Sequence, residues 1–262
     1  MNIRVHPDWW KKMFDEVYLL TDARSVCDQE ITTREVDIIC ELLPIQPKHK
    51  ILDLCGGHGR HSFELCKRGF DECTLVDYSQ NLIERATRQA EKNNYPVRFI
   101  QADARNSGLS DGSFDHVIIM GNSLGYIPAP EADKDILYEA HRLLRSGGWL
   151  LADITNGEIV KNTFTPSAWH EIGDDTVVCR QRELHGERLH AREMVISKQQ
   201  GVIRDETYAM RLYEPPEFEL LLESVGFKNV RVHTDFSPHQ AEGDYGFMNS
   251  RMIASGQKQQ IE

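Results

Sequence analysis

Ile51-Leu-Asp-Leu-Cys-Gly-Gly-His-Gly59-Arg60 is the stretch whose reading decides the fold. A short apolar strand, Lys50–Leu54, carries Asp53 near its end, a glycine-rich turn follows, and a helix over Gly59–Arg68 starts at once. Glycines at 57 and 59 let backbone approach a ligand closely, and the free N–H groups of a helix N-terminus face the same place. Twenty-four residues after Asp53 a second strand, Cys73–Asp77, ends in Asp77. An acid there can accept both ribose hydroxyls of a bound nucleoside. After a third strand, Val97–Gln101, comes Asp103. Three successive strands thus bring carboxylates to one sheet edge, the edge at which open α/β sheets bind ligands.

Working outward, helix Gln80–Asn93, strand Asp115–Met120, helix Glu131–Arg145 and strand Gly148–Asp153 continue the alternation. Near-continuous apolar strands alternating with helices predict an α/β fold, a parallel sheet covered on both faces. Upstream, apolar residues at 9, 10, 13, 14, 17 and 20 are spaced for one helix over 7–20. A second helix is expected to start at Thr32, with Glu35 completing a capping box, and to stop at Pro44. From about residue 156 the period changes to two. Ala168–Ile172, Thr176–Glu183, Arg188–Lys198 and Val202–Tyr213, separated by turn residues, predict an inserted antiparallel β cap. Pro215-Pro216 then opens a helix to Val225 with Gly226 as its cap, before strands Asn229–Asp235 and near Met248–Ser255. The expected organisation is a helical lid (1–44), a nucleotide-binding core (45–155), the cap (156–213) and a C-terminal completion of the core (214–262).

Composition narrows the function. The chain of 262 residues has 41 acidic against 30 basic side chains, a net charge of −11. Phosphate neutralisation by Lys and Arg supplies most nucleic-acid affinity, so a nucleic-acid partner is not expected. No apolar run approaches the roughly 20 residues of a membrane span. The N-terminus lacks the apolar region of a signal peptide, so a cytoplasmic location is expected. The six cysteines form no C-x-x-C pair and no zinc-like spacing and are read as reduced thiols. His58 and His61 have no third ligand in reach and read as helix-surface residues, so no metal is expected. A P-loop is excluded, because no G-x-x-x-x-G-K-[ST] occurs. A dinucleotide fingerprint on Gly57 and Gly59 places Ser62 at its small position, so an NAD-dependent Rossmann oxidoreductase stays open.

The D-x-x-x-G-x-G motif at Asp53–Gly59, with acids at 77 and 103 and the run Leu144-Arg-Ser-Gly-Gly-Trp-Leu-Leu before strand five, resembles the class I S-adenosylmethionine (SAM)-dependent methyltransferases. The resemblance covers roughly residues 45–155, and the last helix and two strands agree in order. It implies a Rossmann-like, doubly wound seven-stranded sheet whose last strand is antiparallel. It implies further that backbone around Cys55, Gly56, Gly57 and Gly59 lies against the amino-acid part of SAM. Asp77 would bind the ribose, Tyr78 would pack on adenine, and Asp103 with the Ala104 N–H would meet the adenine edge. Gly121 and Asn122 would flank the methionine moiety. Tyr18 and Arg34 resemble residues that hold the SAM carboxylate in the glycine N-methyltransferase-like branch. Cys55 departs from the family, many of whose members have glycine there.

Amino-methylating nucleic-acid enzymes of this class carry [DN]-P-P-[YFW] after strand four, where this chain has Gly121-Asn-Ser-Leu-Gly-Tyr126; the Pro-Cys of cytosine-C5 enzymes is also absent. The resemblance therefore implies methyl transfer to nitrogen or oxygen of a small-molecule acceptor. Tyr126, Arg211 and Tyr213 are the candidate catalytic groups, with His170 nearby, and Arg211 suits an acidic acceptor. Trp9 and Trp10 offer one lid residue and one core residue. Asp153-Ile-Thr-Asn156 resembles the strand end of metal-dependent catechol-type enzymes without a full ligand set. A protein or peptide side-chain methyltransferase would need an open groove, and a SAM-binding regulator would lack an acceptor site. Cap strands also serve homodimers.

Overall fold

The chain begins with α1 (Trp10–Met13), α2 (Glu16–Thr21), α3 (Ala23–Val26) and α4 (Gln29–Leu42) in a computed structural model that describes residues 2–237 and 249–260. The single helix expected over 7–20 is broken at Phe14-Asp15. Asp15 turns its carboxylate onto the backbone N–H groups of Val17 (2.8 Å) and Tyr18 (3.0 Å), capping a new helix. Nor does α4 start at Thr32. Asp28 is the cap, accepting from Ile31 N at 3.0 Å, and Thr32 back-bonds to the Asp28 carbonyl. Glu35 is thereby freed from capping and points inward, fully buried.

The central sheet then forms from β1 (Ile51–Leu54), β2 (Cys73–Asp77), β3 (Arg98–Gln101), β4 (Phe114–Ile119) and β5 (Leu144–Thr155). Helices α5 (Arg60–Lys67), α6 (Gln80–Asn93) and α7 (Ala132–Leu143) connect them. Strands β1 to β5 pair in parallel, Asp53 standing opposite Leu75 of β2 and Ile118 of β4. Alternate side chains feed two cores. Leu52, Leu54, Val117, Ile119, Leu150 and Ala152 pack toward α7 on one face. Ile51, Ile118, Leu151 and Ile253 pack with Val36 and Ile39 of α4 on the other. Both faces are buried, which is why the strands read as continuous apolar runs.

A six-residue helix missed by the periodicity, α8 (Gly157–Asn162), follows β5 and is capped by Asn156. The cap is a four-stranded antiparallel sheet in the order β6 (Ser167–Ile172), β7 (Thr176–His185), β8 (Arg188–Ser197), β9 (Gly201–Arg211). Helix α9 (Pro215–Val225) ends at Gly226, as expected. Strand β10 (Phe227–His233) starts directly after that glycine, two residues before the expected Asn229. The expected last strand near Met248–Ser255 begins outside the described residues; its described part is β11 (Arg251–Lys258). The completed seven-stranded sheet has the order β10-β11-β5-β4-β1-β2-β3, with β11 antiparallel to both neighbours.

A buried ion pair joins the last strand to β5. Arg251 and Asp153, both fully buried, meet at 2.6 Å, and the other Asp153 oxygen accepts from Gly121 N at 3.1 Å. Removing one partner strands a charge in the core, at a cost of about 3–5 kcal/mol. Asp153→Leu is therefore expected to lose that much in urea unfolding, and the pair D153L/R251M to recover much of it. A single variant within about 1 kcal/mol of the parent would show that the pair is not what fastens β11.

Candidate active site

The glycine turn rests on a buried acid. Asp53 accepts from Ser62 Oγ at 2.8 Å, its other oxygen meets no described donor, and burial pushes its carboxyl up. A Cβ on Gly56 would lie 2.7 Å from both Asp53 Cγ and Leu75 Cγ, so only glycine fits between the turn and the sheet. The turn is fastened to β2 as well: Gly56 N donates to Val76 O (3.1 Å) and Gly57 N to Asp77 Oδ2 (2.8 Å). Gly59, at φ 86°, caps α5, and its would-be Cβ meets Phe63 at 2.8 Å.

Above this turn opens a cleft of about 130 Å3. Cys55 (φ 63°), Gly56, Gly57, Asp77, Tyr78, Asp103, Ala104 and Gly121 line it, as the sequence led us to expect. So do Tyr18 and Tyr126. Asp77 Oδ1 accepts from Ser79 N (2.8 Å), and burial pushes its carboxyl up to about 6. Asp103 is gripped in a fork by Arg105, at 2.9 and 2.6 Å, which holds its carboxyl below the usual range. Trp10, which also lines the cleft, stands 4.8 Å from the Tyr78 ring, centroid to centroid, and Arg105 Cζ lies 5.6 Å from the Trp10 ring centroid. Trp9 is the core residue of the two, buried against Tyr126, Phe14 and Tyr208.

The remaining expected groups lie elsewhere. Arg34 sits on the outer side of α4, next to Glu30 (3.4 Å), because Thr32, Glu35, Val36 and Ile39 form that helix's inward face. Arg60 lines the cleft instead. Its Nη1 pairs with Glu35 and reaches Thr32 Oγ1 (3.2 Å), whereas its buried Nη2 has no described partner and lies 3.7 Å from where a Gly121 Cβ would be. His61 is not a helix-surface residue: it is buried, with Nε2 2.9 Å from Glu35 Oε2. His58 lines the cleft, and burial pushes its imidazole down to about 3. Asn122 stays behind the wall, accepting from Thr155 N (2.8 Å) and donating to Tyr126 Oη (3.0 Å).

Arg211 and Tyr213 do not line the cleft. Both bind Asp133 Oδ2, Tyr213 Oη at 2.7 Å, while Asp133 Oδ1 accepts from Gly125 N at 2.8 Å. Arg211 N also donates to Gly125 O at 2.8 Å. The cap strand thus grips the loop that carries Tyr126. His170, on β6, is likewise not among the cleft's lining residues. Among the described residues no group of three or more His, Cys, Asp or Glu gathers for a metal, and no helix is long and apolar enough to cross a membrane.

A family model described as "Methyltransferase domain" matches residues 51–148. The chain is 29% identical over 194 residues to YqeM of Bacillus subtilis (strain 168), a methyltransferase by its name, covering 72% of this chain and 78% of that one. It is 34% identical over 124 residues to a glycine/sarcosine N-methyltransferase of Parasynechococcus marenigrum (strain WH8102), covering 47% and 43%. The CcbJ methyltransferase of Streptomyces caelestis shares the fold, with a TM-score of 0.75 at 18% identity over 95% of this chain and 97% of that one. Residues 51–148 thus carry a methyltransferase domain, and the chain resembles the class I SAM-dependent methyltransferases in sequence and shares their fold. Its cofactor is SAM.

The methyltransferase's cleft fits that group. It holds a glycine cradle that a Cβ would fill, a carboxylate at the end of β2, and a buried guanidinium nitrogen left without a described partner. The last is what the sequence reading missed: Arg60 directly follows the motif and reads as an ordinary first-turn residue. Phe14 was missed also, hidden in the helix that Asp15 breaks. The turn itself can be tested by its sterics. Gly56→Ala must push Asp53 or Leu75 aside and is expected to cost about 2 kcal/mol or more. Gly57→Ala, whose Cβ meets nothing closer than 3.7 Å, is expected to lose only about 1 kcal/mol for its left-handed backbone. Thermal melts giving the reverse order would contradict this account.

Proposed function

We propose that the enzyme transfers the methyl group of SAM to nitrogen or oxygen of a small-molecule acceptor bound beneath the N-terminal helices. The observation that carries this reading is the roof of the cleft. Phe14, Tyr18 and Tyr126 line it from above, and the segments that bear them are laced to the cap. Arg180 reaches Asp22 at 3.3 Å, Arg204 pairs with Asp15, and Ile3 N donates to Glu183 at 2.9 Å. A roof held at that many points supports a small molecule over an extended polypeptide as the acceptor. The name of the glycine/sarcosine relative supports the same size class. In this reading residues 1–44 act as lid and 156–213 as substrate cap.

Within the cleft, Asp77 would accept the ribose hydroxyls, Tyr78 and Trp10 would flank the adenine, and Asp103 with the Ala104 N–H would meet its edge. Backbone at Cys55–Gly57 and Gly59 would follow the amino-acid part, and Arg60 Nη2 would take the carboxylate, the role the sequence had suggested for Arg34. The bound cofactor supplies an electrophilic methyl on a sulfonium. What the protein contributes is orientation, which can account for much of the acceleration in a displacement of this kind, and exclusion of water. Asp53, Asn122, Arg211 and Tyr213 would act one layer back, by holding the turn and the Tyr126 loop.

Calorimetric titration with SAM, S-adenosylhomocysteine and NADH, followed by an acceptor screen, tests the whole. Micromolar binding of the first two and none of the third is expected; binding of NADH alone would overturn it. Arg60→Lys keeps a cation for Glu35 but withdraws Nη2, so S-adenosylhomocysteine affinity should fall about 10-fold or more. Arg34→Met should leave it within about twofold. Affinity should also follow Asp77. Ribose hydroxyls bind its ionised form, so affinity is full well above pH 6 and falls up to about tenfold per unit below it. Asp77→Asn should remove most of that slope.

A further inference from the structure

The cleft is furnished with groups that are already committed. Asp77 receives two backbone N–H groups and in the reading above faces the ribose, and Asp103 is held by the Arg105 fork, so neither is placed to take a proton from the acceptor. His61 is engaged with Glu35, and Arg60 is a cation that faces Gly121. Burial pushes the Tyr18 phenol and the Cys55 thiol well up, the Tyr126 phenol up to about 12 and the His58 imidazole down to about 3, so these four stay neutral. Among the described residues, an acceptor whose proton must be pulled off during attack, such as an alcohol, therefore finds no base.

The walls carry a second, independent signal. Phe14 stands 5.1 Å from Tyr18, edge to face, and 5.5 Å from Tyr126, ring centroid to ring centroid, and all three line the cleft. Asn122 donates to Tyr126 Oη and so fixes that ring. Faces of aromatic rings attract a cation, whereas a desolvated carboxylate or phenolate placed against them is penalised.

We infer that the acceptor is an amine, methylated as its free base, with the aromatic wall of Phe14, Tyr18 and Tyr126 beside the nitrogen as it becomes cationic. The inference rests on the methyl-transfer reading above. The nitrogen lone pair forms the new N–C bond while the C–S bond breaks and its electron pair stays on sulfur. Positive charge passes from sulfur to nitrogen without leaving the aromatic walls. For a primary or secondary amine the surplus N–H proton goes to water afterwards, so no side chain has to act as base.

The test uses the full chain saturated with S-adenosylhomocysteine and titrated with choline and with its neutral isostere, 3,3-dimethyl-1-butanol. Choline is expected to bind about tenfold more tightly than the isostere. Phe14→Leu, with its fold checked by melting, should cut that preference to about threefold or less, while Tyr126→Phe, which keeps a ring, should retain it. A parallel turnover screen should favour primary and secondary amines over phenols and carboxylates. Equal binding of choline and the isostere, or phenols and carboxylates turned over as fast as amines, would overturn the amine assignment alone. Failure of S-adenosylhomocysteine to bind at all would overturn the cofactor placement and this inference with it.

Discussion

A glycine backbone pressed against a buried carboxylate sets the position of everything else in this molecule. Asp53 lies beneath Gly56 with no space for a Cβ between them, and Ser62, one turn into α5, donates to the same carboxylate. Strand, turn and helix therefore move as one piece. The turn's N–H groups are in turn tied to Val76 and Asp77, so the end of β2 is held in register with it. A buried carboxyl that has few donors is costly by itself. It is tolerated because it fixes a backbone shape that no apolar side chain of that size would specify.

The roof depends on a different device, ionic pairs across element boundaries. Glu35 of α4 holds Arg60 and His61 of α5, while Arg180 and Arg204 of the cap reach Asp22 and Asp15 in the helical segment. Arg211 and Tyr213 hold Asp133, which holds Gly125. Such pairs add little net stability over apolar packing, yet breaking one is expensive, so they specify a unique arrangement of the pieces they join. That suits a site assembled from separate segments: the glycine turn, the ends of β2 and β3, the N-terminal helices and the loop after β4, which the last cap strand holds from outside.

Which parts were legible in the sequence follows from this division. The core was, since strands buried on both faces leave continuous apolar runs and Gly59 and Gly226 mark helix ends by backbone conformation alone. Strand β2 and helix α6 lie where the sequence put them, and the carboxylates at 77 and 103 line the cleft. The lid was not. Asp15 and Asp28 outcompete the expected helix boundaries through local side-chain to backbone bonds, a choice that apolar spacing does not record. Arg34 and Arg60 likewise look interchangeable in a string of letters. Only the three-dimensional fact that Glu35 turns inward, one position beyond Arg34, decides which guanidinium enters the cleft.

The same logic explains why the cap's contribution is indirect. Arg211 and Tyr213 stand at the end of the last cap strand, and their residue types suggest catalysis. Asp133 captures both, because a buried carboxylate at the start of α7 needs donors more urgently than an open cleft does. Burial and Asp133 push the Tyr213 phenol well up, so it stays a hydrogen-bond donor and not a base. The cleft is left with aromatic walls and committed polar groups. On the reading proposed above, such a site works by holding and excluding, and it leaves the nucleophile's own lone pair to do the chemistry.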